Sequence, residues 1–147
     1  MATILLPPDF KEFLRLLNSR DVQYLLIGGY AVNYYGYPRA TADLDIWIAT
    51  DPLNAEKMAG ALNEFGFKQA TSSLLQEPGK IIRMGVPPIR IEVLTSISGV
   101  DFPNCFRNRL IADIDGVSAY LISLADLKAN KKAAGRLKDL ADLEQLE

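Results

Sequence analysis

The fold is decided by residues 39–48, which read RATADLDIWI. The segment from Asp43 to Ile48 is apolar apart from its two aspartates, and it has the length and composition of a buried strand. Side chains two apart in a strand point the same way, so Asp43 and Asp45 share one face. The apolar residues between them take the opposite face, where they can join a core. The stretch therefore predicts a strand that carries two carboxylates at its start.

A second predicted strand, Ile89–Leu94, places Glu92 on the same face as Arg90. If the two strands are neighbours, Glu92 lies beside Asp43 and Asp45. Carboxylates packed together raise one another's pKa, and a divalent cation relieves their repulsion. Hard oxygen ligands suit Mg²⁺ or Mn²⁺. The three acids are therefore a predicted metal site, while the plainer interpretation is an Asp pair that ends a strand at the surface.

Two glycines, Gly28 and Gly29, follow a predicted buried strand over Val22–Ile27 and precede a short predicted helix over Tyr30–Tyr35. Glycines at such a junction let the backbone approach a phosphate, and the helix N-terminus offers free amides. The alternative is a plain tight turn. The spacing is neither a Walker loop nor GxGxxG, so neither of those folds is supported.

The remaining elements are predicted from apolar periodicity and from capping and turn residues. The first part of the chain carries a helix capped by Asp9 with Phe10, Phe13, Leu14 and Leu17 on one face, a helix from Asp51-Pro52 to Phe65 with Leu53, Met58, Leu62 and Phe65 in the core, and short strands over 66–70 and 81–84. The second part carries a loop over 96–104, hairpin strands over 109–113 and 117–121, a helix from Ser123 to Gly135 and a helix over 137–146.

The composition of the chain excludes several classes of catalytic and metal site. The 147 residues fit one domain, with a sheet and helices over 1–121 and C-terminal helices over 122–147. Histidine is absent and Cys105 is the one cysteine, which excludes His-based nucleophile systems and cysteine-clustered zinc sites. The net charge of −2 gives no basic excess for nucleic acid, and suits a small nucleotide equally well. No signal peptide or membrane span is expected, so the cytoplasm is the expected compartment.

The combined order of these features resembles the DNA polymerase β-like nucleotidyltransferase superfamily. In that superfamily a Gly-Gly or Gly-Ser turn precedes an Asp-x-Asp/Glu pair, and a third acid lies on a neighbouring strand. More narrowly, the chain is similar to the minimal bacterial branch that includes AbiE-type abortive-infection toxins. The matching stretches are GGYAV at 28–32, RATADLD at 39–45 and KKAAGRLKDLAD at 131–142.

The resemblance implies an α/β (α+β) fold, with a mixed sheet flanked by helices and a small C-terminal helical part. It also implies an enzyme that transfers a nucleoside monophosphate from an NTP to an acceptor hydroxyl and releases pyrophosphate. Asp43 and Asp45 would hold two Mg²⁺ ions, for which Mn²⁺ can substitute. Glu92 would complete the catalytic site on the acceptor side, and Gly28 and Gly29 would cradle the β- and γ-phosphates.

Four further residues are expected to bind the nucleotide by the same resemblance: Arg39, Thr41, Lys131 and Arg136. Lys131 would reach the triphosphate, whereas a solvated helix face is the plainer interpretation of neighbouring lysines. Arg136 is expected to face phosphate or to serve structure, with Asp139 and Asp142 mainly structural.

The acceptor stays open at this stage. RNA such as a tRNA end, a protein hydroxyl and a small molecule are all compatible with the chemistry. The toxin resemblance implies tRNA or protein and an antitoxin partner. The main alternative is a non-catalytic antitoxin or nucleotide sensor with the same fold, and a metal-dependent nuclease is a second.

Overall fold

A computed structural model describes residues 4–36, 41, 43–86 and 88–146. Within these ranges a mixed sheet of six strands is flanked by helices, and the strand order is β3-β4-β2-β1-β6-β5. The elements in chain order are α1 (Pro8–Ser19), β1 (Tyr24–Ile27), α2 (Gly28–Tyr35), β2 (Asp43–Ile48), α3 (Pro52–Phe65), α4 (Ser72–Leu75), β3 (Ile81–Val86), β4 (Ile89–Leu94), α5 (Phe102–Arg107), β5 (Leu110–Ile114), β6 (Val117–Leu121), α6 (Leu124–Ala134) and α7 (Leu137–Leu146).

The strand β2 lies in the middle of the sheet. It runs antiparallel to β1 and parallel to β4, with Asp45 opposite Glu92 and Asp43 opposite Arg90. The hairpins β3–β4 and β5–β6 form the two edges, and β1 joins the second hairpin through a short parallel pairing with β6. The bounds of β2 and β4 agree with the sequence prediction, which placed the two strands as candidate neighbours.

Helix α1 buries the apolar face predicted for it. Phe10, Phe13, Leu14 and Leu17 are all inaccessible to solvent. The Phe13 ring meets the Phe65 ring of α3 edge to face, with centroids 5.0 Å apart. The cap was predicted wrongly, because the helix begins at Pro8 and Asp9 lies in its first turn.

Helix α3 begins and ends where the sequence predicts. The Asp51 side chain accepts a hydrogen bond from the Asn54 amide, and Gly66 ends the helix with a positive φ of 113°. Leu53 was predicted for the core but is 63% exposed. Asn54 takes the inward position instead, where its side chain donates to the Ala49 carbonyl at 2.8 Å and accepts from the Gln23 amide at 2.7 Å.

Two other predictions were wrong in the middle of the chain. Residues 66–70 form no strand, and α4 follows shortly after them. The predicted loop over 96–104 ends early, because α5 begins at Phe102. Asp101 caps α5 by accepting from the Asn104 amide, and a proline occupies its first turn. This is the same Asp-and-proline signal that correctly located α3.

The hairpin and the last two helices follow the prediction closely. Asp115 and Gly116 both have positive φ, 52° and 83°, as a two-residue hairpin turn of the primed type requires. The Ser123 hydroxyl caps α6 by accepting from the Asp126 amide at 3.2 Å. Gly135 ends α6 in the left-handed region, and α7 follows at once.

The mixed sheet with flanking helices is the α+β architecture expected from the sequence. Over the described ranges, no helix has both the length and the apolar content needed to cross a membrane.

Candidate active site

Three carboxylates converge where β2 and β4 lie side by side. Asp43 and Asp45 come from β2, and Glu92 comes from β4 directly opposite Asp45. One oxygen of each side chain lies within 4.8 Å of the others, and all three residues are partly buried. The two strands are neighbours, so the sequence correctly anticipated that these acids meet.

The effect of this cluster is seen in the pKa of Asp45. The pKa of Asp45 is raised to about 6, first by burial and then by the negative charges of Glu92 and Asp43. The positive charges of Lys138 and Lys131 act against that rise. A bound cation would relieve the repulsion between the Asp45 carboxylate and the neighbouring negative charges.

Two arginines contact the acids from the β3–β4 hairpin. The Arg90 guanidinium forms a two-pronged ion pair with Asp43, at 3.1 Å from Nε to Oδ1 and 2.8 Å from Nη2 to Oδ2. The same Nη2 lies 3.2 Å from Oε1 of Glu92. Arg83, across the hairpin from Glu92, donates to that oxygen at 3.3 Å. Each of these cations therefore lies against at least one of the three acids.

The two glycines pack directly against the site. Gly28 has a φ of +69°, and a methyl group there would overlap the Asp45 carboxylate. A methyl group on Gly29 would overlap the hydroxyl of Thr41. Both glycines belong to the first turn of α2, which begins two positions earlier than predicted, at Gly28 and not at Tyr30. Glycine is therefore required at these positions so that the N-terminus of α2 can approach Asp45 and Thr41 closely.

The C-terminal helices contribute a buried ion cluster. The Lys131 ammonium lies 3.2 Å from an oxygen of Asp139 and 3.2 Å from an oxygen of Asp142. Lys131, Asp139 and Asp142 are all buried. Arg136 also binds Asp139, with its Nε 2.7 Å from Oδ2. The cluster ties α6 to α7, in agreement with the structural role expected for the two aspartates.

A cavity of about 760 Å³ unites these groups. Its lining includes Gly28, Gly29 and Thr41 together with the three acids. Cationic side chains of the described residues surround the acids, and they are Arg83, Arg90, Lys131, Arg136 and Lys138. An acidic protein thus has a locally cationic cavity, which is suited to a polyanion such as a triphosphate.

The structure brings together most of the site residues predicted from the sequence. Asp43, Asp45, Glu92, Gly28, Gly29, Thr41, Lys131 and Arg136 all line the cavity. Lys131 reaches it while bound to Asp139 and Asp142, and Arg39 lies outside the described residues. The functions assigned to these residues stay predictions.

Sequence reasoning gave no function to Arg83 or Arg90. A signal for Arg90 was present, because it lies two positions before Glu92 and so shares its face of the strand. Arg83 required the β3–β4 register, which pairs it with Glu92. That register is a tertiary fact that one sequence does not carry.

The acids fit a divalent metal on chemical grounds. They offer carboxylate oxygens alone, which favour Mg²⁺ or Mn²⁺ over metals that seek nitrogen or sulfur ligands. Burial, followed by the charges of Glu92 and Asp43, raises the pKa of Asp45, and a divalent ion beside its carboxylate would oppose that rise. The residues present therefore suit a resident divalent ion.

The mixed sheet with acids on adjacent strands, beside a glycine-led helix, agrees with the arrangement implied by the resemblance to polymerase β-like nucleotidyltransferases. Comparison with family models supports this class, since residues 8–147 match the model described as nucleotidyl transferase of unknown function (DUF2204). The chain belongs to that nucleotidyltransferase family. A comparison of its sequence with curated proteins finds no match.

Solved structures share the fold at low sequence identity. A protein classed as a nucleotidyltransferase, TM1012 from Thermotoga maritima, is 16% identical with a TM-score of 0.60, over 96% of this chain and 94% of that one. The lincosamide antibiotic adenylyltransferase LnuA, solved with lincomycin, is 15% identical with a TM-score of 0.59, over 98% of both chains. An antigenic nucleotidyltransferase-like protein from Paracoccidioides brasiliensis is 16% identical with a TM-score of 0.55, over 98% of this chain and 76% of that one.

Proposed function

We propose that the protein is a metal-dependent enzyme that transfers a nucleoside monophosphate from an NTP to an acceptor hydroxyl. The observation that carries the proposal is the convergence of Asp43, Asp45 and Glu92, with one oxygen from each within 4.8 Å. Membership of a nucleotidyltransferase family gives the reaction class. The cationic lining of the cavity supports a triphosphate as the donor.

In this proposal Asp43 and Asp45 hold two Mg²⁺ ions, and Glu92 completes the site on the acceptor side. When bound, the ions supply Lewis-acid charge next to the reacting phosphate and the leaving group. The acceptor oxygen attacks the α-phosphorus and the bond to the β-phosphate oxygen breaks. Pyrophosphate leaves, and Glu92 takes the proton of the hydroxyl. The transfer depends mainly on positioning and charge neutralisation, so a protein without histidine can perform it.

The phosphate-binding groups lie on both sides of the acids. The first turn of α2, with Gly28 and Gly29, offers backbone amides to the β- and γ-phosphates. Thr41 lies beside Gly29, and Arg39 is a further proposed phosphate ligand, while Lys131 of α6 and Arg136, which lies between α6 and α7, line the same cavity. Lys131 would act while held by Asp139 and Asp142, as a fixed positive charge behind the phosphates.

The proposed acceptor is the hydroxyl of an RNA, such as a tRNA end, or of a protein, as the resemblance to the abortive-infection toxins implies. In that setting an antitoxin partner would accompany the chain in the cytoplasm. A small-molecule acceptor is the other outcome to test, because the similarly folded LnuA is a lincosamide adenylyltransferase. ATP is the first donor to try.

The test is incubation of the full chain with each α-labelled NTP, Mg²⁺, total tRNA and cell lysate, beside a set of antibiotic acceptors. We expect label on one acceptor class with wild-type protein, and a loss of at least about a thousandfold in Asp43→Asn/Asp45→Asn, because that variant cannot hold the ions. The label identifies both the base and the acceptor.

A matched control is Asp113→Asn, which removes an exposed carboxylate of β5 outside the cavity and should leave the transfer unchanged. Failure to transfer from any NTP, together with metal-dependent NTP binding by calorimetry, would favour the non-catalytic antitoxin or sensor. Cleavage of RNA without incorporation of label would favour a nuclease.

A further inference from the structure

Arg90 lies within the acid cluster and not merely beside it. It stands in β4 two positions before Glu92, and the parallel register places it opposite Asp43. Its guanidinium engages both oxygens of Asp43, at 3.1 and 2.8 Å, and approaches Glu92 at 3.2 Å. One cation therefore bridges two of the three carboxylates that are proposed to hold the metal ions.

Arg83 provides an internal comparison. It is the same residue type on the neighbouring strand, and it makes a 3.3 Å contact with the same oxygen of Glu92. Its side chain is 58% exposed, whereas that of Arg90 is 29% exposed. Among the contacts between described residues, Asp43 pairs with Arg90 and not with Arg83. The two arginines thus differ in whether they occupy Asp43.

A guanidinium fork and a divalent ion compete for the same carboxylate oxygens. A two-pronged pair directs two N–H groups at the oxygens of Asp43, and a metal ion needs at least one of those oxygens. The positive charges of the metal and of Arg90 also repel each other when both lie within the cluster. Occupation of Asp43 by a metal therefore favours movement of Arg90 away from that carboxylate.

The released side chain remains inside the cavity, because Arg90 lines it together with the glycine turn and the cationic groups of α6 and α7. A planar guanidinium is well suited to bind phosphate oxygens in the same forked manner. The polyanionic substrate is the partner that such a displaced cation would meet.

We propose that Arg90 is an exchangeable internal counter-ion, which holds Asp43 and Glu92 until a divalent ion displaces it and then binds the phosphates of the nucleotide. This rests on the proposed function, since it takes the three acids as the metal site. Arg90 is a positioning residue before the metal binds and a substrate-binding residue afterwards. The exchange links metal binding to nucleotide binding.

The proposal predicts effects of opposite sign in one variant. In Arg90→Gln the competitor is gone, so Mn²⁺ should bind the nucleotide-free protein about three- to tenfold more tightly. A non-hydrolysable NTP analogue should bind the Mn²⁺-saturated variant about three- to tenfold more weakly, because a phosphate ligand is lost. A purely structural arginine would weaken both interactions together.

The experiment measures free Mn²⁺ by electron paramagnetic resonance, and analogue binding by calorimetry. Wild type, Arg90→Gln, Arg83→Gln and Asp43→Asn are compared, each first shown to be folded by circular dichroism. Arg83→Gln removes the same charge beside Glu92 but leaves Asp43 occupied, so its Mn²⁺ affinity should change by less than about twofold. Arg90→Lys keeps the charge without the fork and should fall between wild type and Arg90→Gln.

Unchanged or weaker Mn²⁺ binding in Arg90→Gln overturns the exchange, and so does an equal gain in Arg83→Gln. If wild type binds Mn²⁺ and Asp43→Asn does not, either result leaves the proposed metal site standing. If neither wild type nor Arg90→Gln binds Mn²⁺, both the metal site and the exchange are refuted.

Discussion

At the scale of single residues, the site depends on glycine backbone that packs against neighbouring side chains too closely to admit a methyl group. Gly28 accepts a positive φ and also leaves room for the Asp45 carboxylate. Sequence reasoning assigned the two glycines to phosphate binding and missed this packing function, because it depends on the position of β2 relative to α2. The two functions are compatible, since the same absence of side chains serves both.

Gly28→Ala is expected to impair both stability and metal binding. A left-handed alanine costs about 1–2 kcal/mol on its own, and the overlap with Asp45 adds to that cost and displaces the carboxylate. Gly135→Ala is the matched control, because φ there is +65° and the nearest atom to a new methyl group is 3.7 Å away. Urea unfolding and Mn²⁺ binding measure the two effects. Equal behaviour of the two variants would contradict the packing function of Gly28.

The pH dependence of stability should report Asp45. Because its pKa is raised to about 6 in the folded protein, the folded state holds a proton that the unfolded chain releases at lower pH. This contribution is complete below the ordinary pKa of 3.8 and is lost as the pH rises through about 6. Without metal, the free energy of unfolding of wild type should fall relative to Asp45→Asn, by on the order of 1–3 kcal/mol between about pH 4 and pH 7. Parallel pH profiles of the free energy of unfolding in wild type and Asp45→Asn would refute this prediction.

At the scale of elements, the sequence predicted those whose signals are local. Strands β2 and β4, helix α3 between its Asp51 cap and Gly66, and the Asp115-Gly116 hairpin all follow from capping, turn and alternation rules. The mistakes arose where a segment's structure depends on its surroundings. Residues 66–70 alternate weakly but find no strand partner, and Asn54 takes the inward position instead of Leu53 because it binds the carbonyl groups of Gln23, just before β1, and Ala49, just after β2.

The pairing of α6 with α7 is expected to depend on Asp139. Burial alone would raise the pKa of Asp139, but the hydrogen bonds and charges of Arg136 and Lys131 hold it below its usual range. Asp139→Ala leaves buried Lys131 with Asp142 as its remaining described carboxylate partner, so we expect a loss of about 3 kcal/mol in urea unfolding. Arg136→Ala should cost at most about 1 kcal/mol, because the Arg136 side chain is 66% exposed. A smaller loss for Asp139→Ala than for Arg136→Ala would contradict this account.

The same ion pairs of Asp139 determine how the stability of the α6–α7 pairing changes at acidic pH. Since the pKa of Asp139 is lowered, its contribution to stability is present above the pKa of the unfolded chain and is lost as the pH falls through the folded value. This is the opposite sign to Asp45. The contributions of Asp45 and Asp139 can therefore be separated by measuring the free energy of unfolding against pH for wild type, Asp45→Asn and Asp139→Ala.

At the scale of the whole molecule, the charge distribution could not be read from composition. The net charge of −2 says nothing about the cavity, where five cationic side chains of the described residues surround three acids. The fold brings these groups to one place from β2, β3, β4, α6, α7 and the link between the last two helices. Sequence reasoning located the acids through their spacing and overlooked Arg90, although it shares a strand face with Glu92, whereas the contact of Arg83 with Glu92 follows only from the register of β3 with β4.

Ligand binding should stabilise the entire domain. With Mn²⁺ and a non-hydrolysable NTP analogue at about a hundred times its dissociation constant, linkage adds about 2.7 kcal/mol. For a domain of this size that corresponds to a rise in Tm of about 5–10 °C. Differential scanning fluorimetry with each base in turn identifies the preferred nucleotide. Asp43→Asn/Asp45→Asn should show no shift, and an equal shift in that variant would place binding elsewhere.

The parallel pairing of β2 with β4 ties the appearance of the acid cluster to the order of folding. The partners Asp43 and Arg90 stand 47 positions apart, so their strands meet only after a long loop has closed. The β3–β4 hairpin is local and forms within about 1–10 μs, but it brings Glu92 alone. A chain still emerging from the ribosome therefore has no assembled cluster until β4 is free to dock. The topology thus places assembly of the cluster after the synthesis of both strands.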